Sequence, residues 1–184
     1  MTWSTTGEAD GVDLSAHTVF FSDDYRAEFD AVFRDGRVPD TPTTYVFAPD
    51  RAGGEANTGS AERLLLLINA PPIRQQGATP IEEADACRMR MMDHLSASGL
   101  RLTTHTEQVK TPADFAAMFP GTGGALYGVA SHGWRASFQR PGVRSRLPGI
   151  YLAGGSVHPG PGVPMAALSG WAAAKAVERD LASI

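Results

Sequence analysis

The 184-residue chain has a single cysteine, Cys87. An intrachain disulfide framework and a cysteine-rich zinc site are therefore excluded, and a lone thiol fits a reducing compartment. No metal ligand set is expected. Positive charge is also scarce: 16 Lys and Arg stand against 20 Asp and Glu, a net −4, with no dense basic run. That balance lacks the electrostatic footprint of a nucleic-acid binder, so no nucleic acid is expected as a partner. No stretch reaches the ~20 apolar residues needed to span a bilayer. The opening MTWSTTGEAD has neither the basic nor the apolar region of a secretory signal.

Glycine (20) and proline (13) are plentiful, both above their usual shares of about 7% and 5%. The excess predicts many turns and argues against a helical bundle or coiled coil. Apolar residues at 42% and charged residues at 20% suit a chain with a buried core. The length suits one ordinary domain or two small lobes.

The pattern predicts a mixed α/β organisation. Residues 1–17 read as a loose end, polar and glycine-bearing to about Leu14. HTVFFS (17–22) reads as a short strand, after which Ser22 is expected to cap a helix. Asp23 and Asp24 lie in its first turn, and Tyr25, Phe29, Val32 and Phe33 share one face. TYVF (44–47) reads as a strand, residues 52–62 as a polar loop, and RLLLLINA (63–70) as a continuous buried strand ended by Pro71 and Pro72. Thr79-Pro80-Ile81-Glu82 has the form of a capping box with proline at the first helical position. Its helix should run to about Ser98, with Ala84, Cys87, Met91 and Leu95 inward and Gly99 as the stop. Arg88 and Arg90 are expected on its solvated side. Thr111-Pro112-Ala113-Asp114 opens a short helix through Met118. Residues 119–141 read as glycine-rich loops and short strands.

The most informative stretch is GIYLAGGSVHPGPGVPMAALSGWAAAKAVERDLA. GIYLAGG (149–155) reads as a buried strand, followed by a glycine- and proline-rich turn and a helix from about Gly162 to Leu181. Small residues recur every four positions at Gly162, Ala166, Gly170 and Ala174, which leaves one helix face nearly bare. Such a face lets backbone press against a sheet or a flat ligand. The turn also aims backbone N–H groups from a helix N-terminus, where the dipole favours an anion such as a pyrophosphate. Gly160-Pro161-Gly162-Val163-Pro164-Met165 is a partial dinucleotide fingerprint, and by spacing alone these glycines equally shape a tight connection. A lone loop histidine such as His158 is more often a hydrogen-bonding residue than a catalyst. Gly154-Gly155-Ser156-Val157-His158 also echoes a hydrolase nucleophile elbow. That motif, however, needs its helix to begin at the serine, and Pro159 and Pro161 delay the helix by several residues.

LAGGSVHPGPGVPMAALSG resembles the carboxy-terminal flavin-contacting motif of the phytoene desaturase family, FAD-dependent amine-oxidase-like flavoproteins of carotenoid biosynthesis. Pro164-Met165 and Gly155-Ser156 are closest to its hydroxycarotenoid 3,4-desaturase (methoxyneurosporene dehydrogenase) branch. Residues 20–33, 40–51, 63–72, 124–141 and 144–162 resemble the family in its own order. The family's amino-terminal strand–GxGxxG–helix unit, which holds the ADP half of FAD, has no counterpart here. The resemblance thus implies the carboxy-terminal part of a desaturase, with an amino-terminal half missing. Residues 18–140 would be a substrate-domain portion. Residues 141–184 would be the last strand–helix of a Rossmann-like FAD domain.

It further implies an oxidoreductase acting on CH–CH bonds, in which FAD oxidises a C–C bond of a polyene, with the chain inactive by itself. FAD contacts are implied at Gly154, Gly155, Ser156, His158, Gly160, Pro161, Gly162, Val163, Pro164 and Met165; no catalytic residue is assigned. Phe20, Phe21, Tyr45 and Phe47 would line a polyene tunnel or belong to ordinary core. His132, Trp134 and Arg135 are family-like without a derived role. A carotenoid substrate dissolves in membrane, so the intact enzyme is expected in the cytoplasm, peripheral to the inner membrane. The alternative is a stand-alone, non-enzymatic domain that binds a lipid or partner.

Overall fold

The computed structural model describes residues 1–53, 60–73, 81–126 and 140–182. It divides into two compact units, Met1–Ala125 and Leu126–Ile184. The boundary expected between residues 140 and 141 therefore falls inside the second unit.

In the first unit, β1 (Thr2–Asp10), β2 (His17–Phe20), β3 (Thr44–Phe47), β4 (Glu62–Ile68) and β5 (Arg101–Lys110) form one sheet in the order β2-β3-β4-β1-β5. Every pairing is antiparallel. Residues 2–10 are thus no loose end: β1 is flanked on both sides, and Trp3 is among the most buried side chains. The misreading has a physical cause. TWSTTGEAD is polar in composition, but Trp3, Thr5 and Gly7 alternate onto one face, and tryptophan and threonine favour strands. β5 carries the same kind of signal, since RLTTHTEQVK alternates without an apolar run. The apolar run of β4 is buried only at alternate positions: Leu64, Leu66 and Ile68 point inward, while Leu65 and Leu67 are half-buried. Antiparallel sheets often cover one face only, and this one does.

The covering element is α2 (Ile81–Ala97). Ala84, Cys87, Met91 and Leu95 are all buried as expected, packed with Trp3, Leu64, Leu66 and Ile68. The proposed cap at Thr79-Pro80 lies outside the described residues. Arg88 is not on a free solvated face, because its guanidinium donates to Glu107 (2.6 and 2.9 Å) and Thr104 (3.2 Å) on β5. At the start of β4, a buried Arg51 makes a two-pronged pair with Glu62 (Nε–Oε2 2.9 Å, Nη2–Oε1 2.6 Å) and donates to the Leu14 carbonyl at 3.2 Å.

α1 (Tyr25–Asp30) continues as a π-helical turn over Ala31–Asp35. Its cap is Asp24, whose carboxylate accepts from the Ala27 N–H at 2.9 Å, and not Ser22. Ser22 instead accompanies Glu28, a buried carboxylate that accepts from Thr43 N–H (3.1 Å) and Asn69 Nδ2 (3.0 Å). Burying Glu28 turns the opposite face outward. Phe21, Tyr25, Phe29 and Phe33 form an exposed ladder of ring contacts, with only Val32 of the expected face inside. α3 (Pro112–Met118) opens with the expected capping box, Thr111 Oγ1 accepting from Asp114 N–H and Asp114 accepting from Thr111 N–H.

In the second unit, α4 (Val163–Leu181) begins within one residue of its expected start. The strand expected over 149–155 is absent. Only a single bridge, Arg144 to Tyr151, forms there, flanked by Leu152 N–H to Val143 O and Ser145 N–H to Ile150 O. A central parallel strand needs neighbours on both sides, and the described residues of this unit supply one short antiparallel stretch. Residues 127–139, including His132, Trp134 and Arg135, lie outside the description.

Candidate functional site

The turn that leads into α4 is anchored on two sides. On one side, segment 140–145 runs beside it. Pro141 O accepts the His158 N–H at 2.9 Å, and Val143 O accepts that of Leu152 at 2.8 Å. On the other, Ser169 inside α4 is fully buried. Its Oγ accepts the Gly154 N–H at 2.8 Å and donates to the Ala166 carbonyl at 2.7 Å. Sequence reasoning missed Ser169. The available signal was one hydroxyl in an alanine-rich helix, spaced at i, i+4 and i+7 with Ala173 and Ala176. Those three are the residues α4 buries.

The stripe Gly162, Ala166, Gly170, Ala174 is therefore not the packed face. Gly162 and Ala174 are exposed, and a Cβ built at Gly162 or Gly170 meets nothing within 4 Å. Gly162 is the N-cap residue, with φ +103°, and no side chain caps the helix. Helix geometry leaves the first N–H groups without partners inside the helix; here these are Val163 and Met165, because Pro164 has none. The helix thus opens on backbone donors and on the positive end of its dipole.

The expected site residues are brought together only in part. Gly154 and Gly155 stand at the entry, and Gly155 comes back against Pro161, whose Cα would lie 3.5 Å from an added Cβ. Gly160 is buried, while Ser156, His158, Pro161, Pro164 and Met165 are exposed and Val163 is 85% exposed. His158 is engaged through its backbone. Ser156 lies seven residues before the helix, so the turn does not have the geometry of a nucleophile elbow.

At the far end of α4, Asp180 accepts from Arg144 (2.7 Å) and Tyr151 (2.6 Å). These hydrogen bonds hold its carboxyl below the usual range and push the Tyr151 phenol up. They tie the chain before the turn to the helix after it.

In the first unit, the sheet face opposite α2 carries a shallow groove of about 480 Å³, lined by Ser4, Thr6, Phe47, Leu65, Thr106 and Gln108 among others. Tyr45 and Phe47 both belong to this open face. His17 stacks on Phe47 at 4.9 Å and shares a 2.6 Å hydrogen bond with Tyr45 Oη. Phe20 instead packs toward the core, and Phe21 is exposed. Among the described residues, no cluster of His, Cys, Asp or Glu is placed to hold a metal, and no helix is long and apolar enough to cross a membrane.

No family model matches the chain. It is 46% identical over 185 residues to a hydroxyneurosporene desaturase of Rubrivivax gelatinosus, covering all of this chain and 35% of that protein. A protein of the same name from Cereibacter sphaeroides is 44% identical over 98% of the chain and 36% of its own length. A 4,4'-diapolycopene oxygenase of Methylomonas sp. is 34% identical over 91% of the chain and 35% of its length. The chain thus spans about a third of the length of the curated relatives it matches. Five segments in family order lie within a match that runs the whole chain, and by that match the chain belongs to the carotenoid desaturase family, as the counterpart of its carboxy-terminal part.

Proposed function

We propose that this chain supplies the flavin-contacting turn and part of the substrate-facing sheet of an FAD-dependent carotenoid desaturase. The observation that carries the reading is the turn of residues 154–162, which delivers a glycine with positive φ into an uncapped helix start beside a bare helix face. Exposed backbone donors and missing side chains suit the pyrophosphate and ribityl chain of FAD. The described residues offer no glycine-rich strand–helix unit for its adenosine half, so the fit extends to one side of the cofactor. A Rossmann-like FAD domain completed by another stretch of polypeptide would supply the rest.

When bound, the flavin would accept the two hydrogens removed as a polyene C–C single bond becomes double. The residues of this chain would hold and shield. Gly154, Gly155 and Gly160 to Met165 would present backbone to the cofactor. The open sheet face, with Tyr45, Phe47, Leu65 and Leu67, would offer apolar surface to the chain of the substrate. His158 has no acid–base task in this scheme. A substrate dissolved in membrane is the ground for reading the working enzyme as a peripheral protein, on the cytoplasmic side of the inner membrane in this proposal. The alternative of a stand-alone lipid- or partner-binding domain gains nothing from relatives named as desaturases and oxygenases.

The test joins this chain to the unmatched amino-terminal part of the Rubrivivax gelatinosus protein and measures bound flavin by its visible absorbance. The isolated chain should retain no flavin after desalting, whereas the fusion should retain it in stoichiometric amount. In the fusion, Gly162→Val forces a branched residue into φ +103° and should abolish flavin retention and desaturation without unfolding the protein. His158→Ala should cost far less than the ~100-fold loss that removal of a general acid–base group brings. Full flavin occupancy in the Gly162→Val protein would sink the reading.

A further inference from the structure

We infer that Arg140, outside the glycine motif itself, is the positioning residue that sets the conformation of the turn, and that Gly160 is glycine in order to admit its guanidinium. The turn of residues 154–162 doubles back, so that its incoming limb at Gly155 approaches its outgoing limb at Pro161. Arg140 reaches across both limbs. Its Nη1 donates to the Gly155 carbonyl at 3.4 Å on the incoming side. On the outgoing side its guanidinium lies against Gly160, where an added Cβ would stand 2.3 Å from Nη1 and 3.0 Å from Cζ. Real Cβ atoms do not approach other atoms so closely, so any side chain at 160 would force the guanidinium to move from this position. Gly160 also has φ +135°, which side chains other than glycine rarely adopt.

The backbone on either side fixes the origin of this reach. Pro141 and Val143 accept from His158 and Leu152, so segment 140–143 is held alongside the turn and Arg140 has a defined starting point. Among the described residues no carboxylate pairs with Arg140, whereas Arg51, Arg63, Arg88, Arg101 and Arg144 each have one. Its role is therefore set by the turn and not by an ion pair. While Nη1 faces the Gly155 carbonyl, the Cζ and Nε of the same planar group lie against Gly160, and the single ammonium of lysine has no such plane to lay there.

The functional consequence rests on the flavin reading: the turn that would meet the cofactor owes its shape to a residue that need not touch the cofactor. Hydrogen exchange over residues 154–162 in the full chain provides a readout independent of flavin. Arg140→Ala should speed exchange there about tenfold or more, and Arg140→Lys should fail to restore protection. Gly160→Ala should do the same in the wild-type background. In an Arg140→Ala background, the same change at 160 should add only the cost of its positive φ, so the two effects are non-additive. Strictly additive effects, or full protection with lysine at 140, would overturn the proposal. In the fusion protein, Arg140→Lys should also lower flavin retention. Coupling between 140 and 160 in a fusion that takes up no flavin would uphold the positioning role and overturn the flavin reading alone.

Discussion

The two units solve the problem of order in different ways. Every member of the buried apolar cluster falls between Met1 and Leu100, so the first unit has a core of its own. In the second unit the buried described residues are Val157, Gly160, Ser169, Ala173 and Ala176, most of them too small to release much apolar surface from water. Its geometry rests instead on hydrogen bonds: Ser169 to Gly154, Pro141 to His158, and Asp180 to Arg144 and Tyr151. Its large apolar side chains, Leu168 and Trp171 among them, point outward. A unit that hides polar and small groups while showing its large apolar ones is shaped for a neighbour. The first unit is shaped largely for itself on one face of its sheet, and for something else on the other.

The strongest test of the first unit's autonomy is its buried ion pair. Glu62→Ala leaves the Arg51 guanidinium buried without its carboxylate, and such a loss costs about 3–5 kcal/mol. Urea unfolding followed by circular dichroism should register that cost as an early transition belonging to the sheet. A penalty below about 1 kcal/mol would mean that Arg51 escapes to water and that the pair does not hold β4 in place.

A paired truncation then sets the units against each other. Met91→Ala removes a fully buried side chain packed on Trp3 and β4, and should cost about 2–5 kcal/mol. Leu168→Ala, on the exposed side of α4, should change stability by no more than about 0.5 kcal/mol. Similar costs at the two positions would erase the distinction between a unit with a core and one without.

The same contrast governs what the sequence revealed. Where side chains decide the structure, their spacing was readable: Ala84, Cys87, Met91 and Leu95 of α2 fell inward as the helical period requires, and the capping box at Thr111 formed. β1 and β5 escaped because their alternation is written in threonines, which fit a sheet as well as valine does but look like loop by polarity. The shared face of Tyr25, Phe29 and Phe33 on α1 was legible, but not that it stands outward, because nothing local announces that Glu28 will be buried by Thr43 and Asn69, both distant in sequence. The strand at 149–155 failed for the opposite reason: its residues suit a parallel sheet, but pairing depends on neighbours that local sequence does not supply. In the candidate site, the glycines were legible by their spacing. Ser169 and Arg140 were not, since each acts on turn residues up to 15 positions away in sequence.

The buried end of β1 gives the first unit a pH dependence close to neutrality. In this 184-residue chain the Met1 amine donates to Ile68 O at 2.9 Å, and burial lowers its pKa from 8.0 to about 6. The unfolded amine then binds more protons than the folded one between those two values. Stability therefore rises with pH across this window and is lost as pH falls from 8 to 6. A two-unit difference corresponds to about 2–3 kcal/mol. Acetylating the amine should flatten the dependence, and an unchanged pH profile after acetylation would assign it elsewhere.

The smallest expected change in stability carries the most information about the second unit. Trp171 is 63% exposed on α4, in the same exposed region as Leu168 one turn earlier. Glutamine is at least as good a helix former as tryptophan, so Trp171→Gln should leave α4 intact and shift stability by no more than about 0.5 kcal/mol. Contiguous exposed apolar surface favours association, so the wild-type chain should self-associate as concentration rises and the variant should do so less. Light scattering across a concentration series reads association, and urea unfolding of the same samples followed by circular dichroism reads stability, which separates the two effects. A wild-type chain that stays monomeric at high concentration would remove the argument that α4 is built to be covered. An associating chain indifferent to Trp171→Gln would move the sticky surface away from this stretch of α4, to other exposed apolar ground such as the Phe21–Phe33 ladder of the first unit.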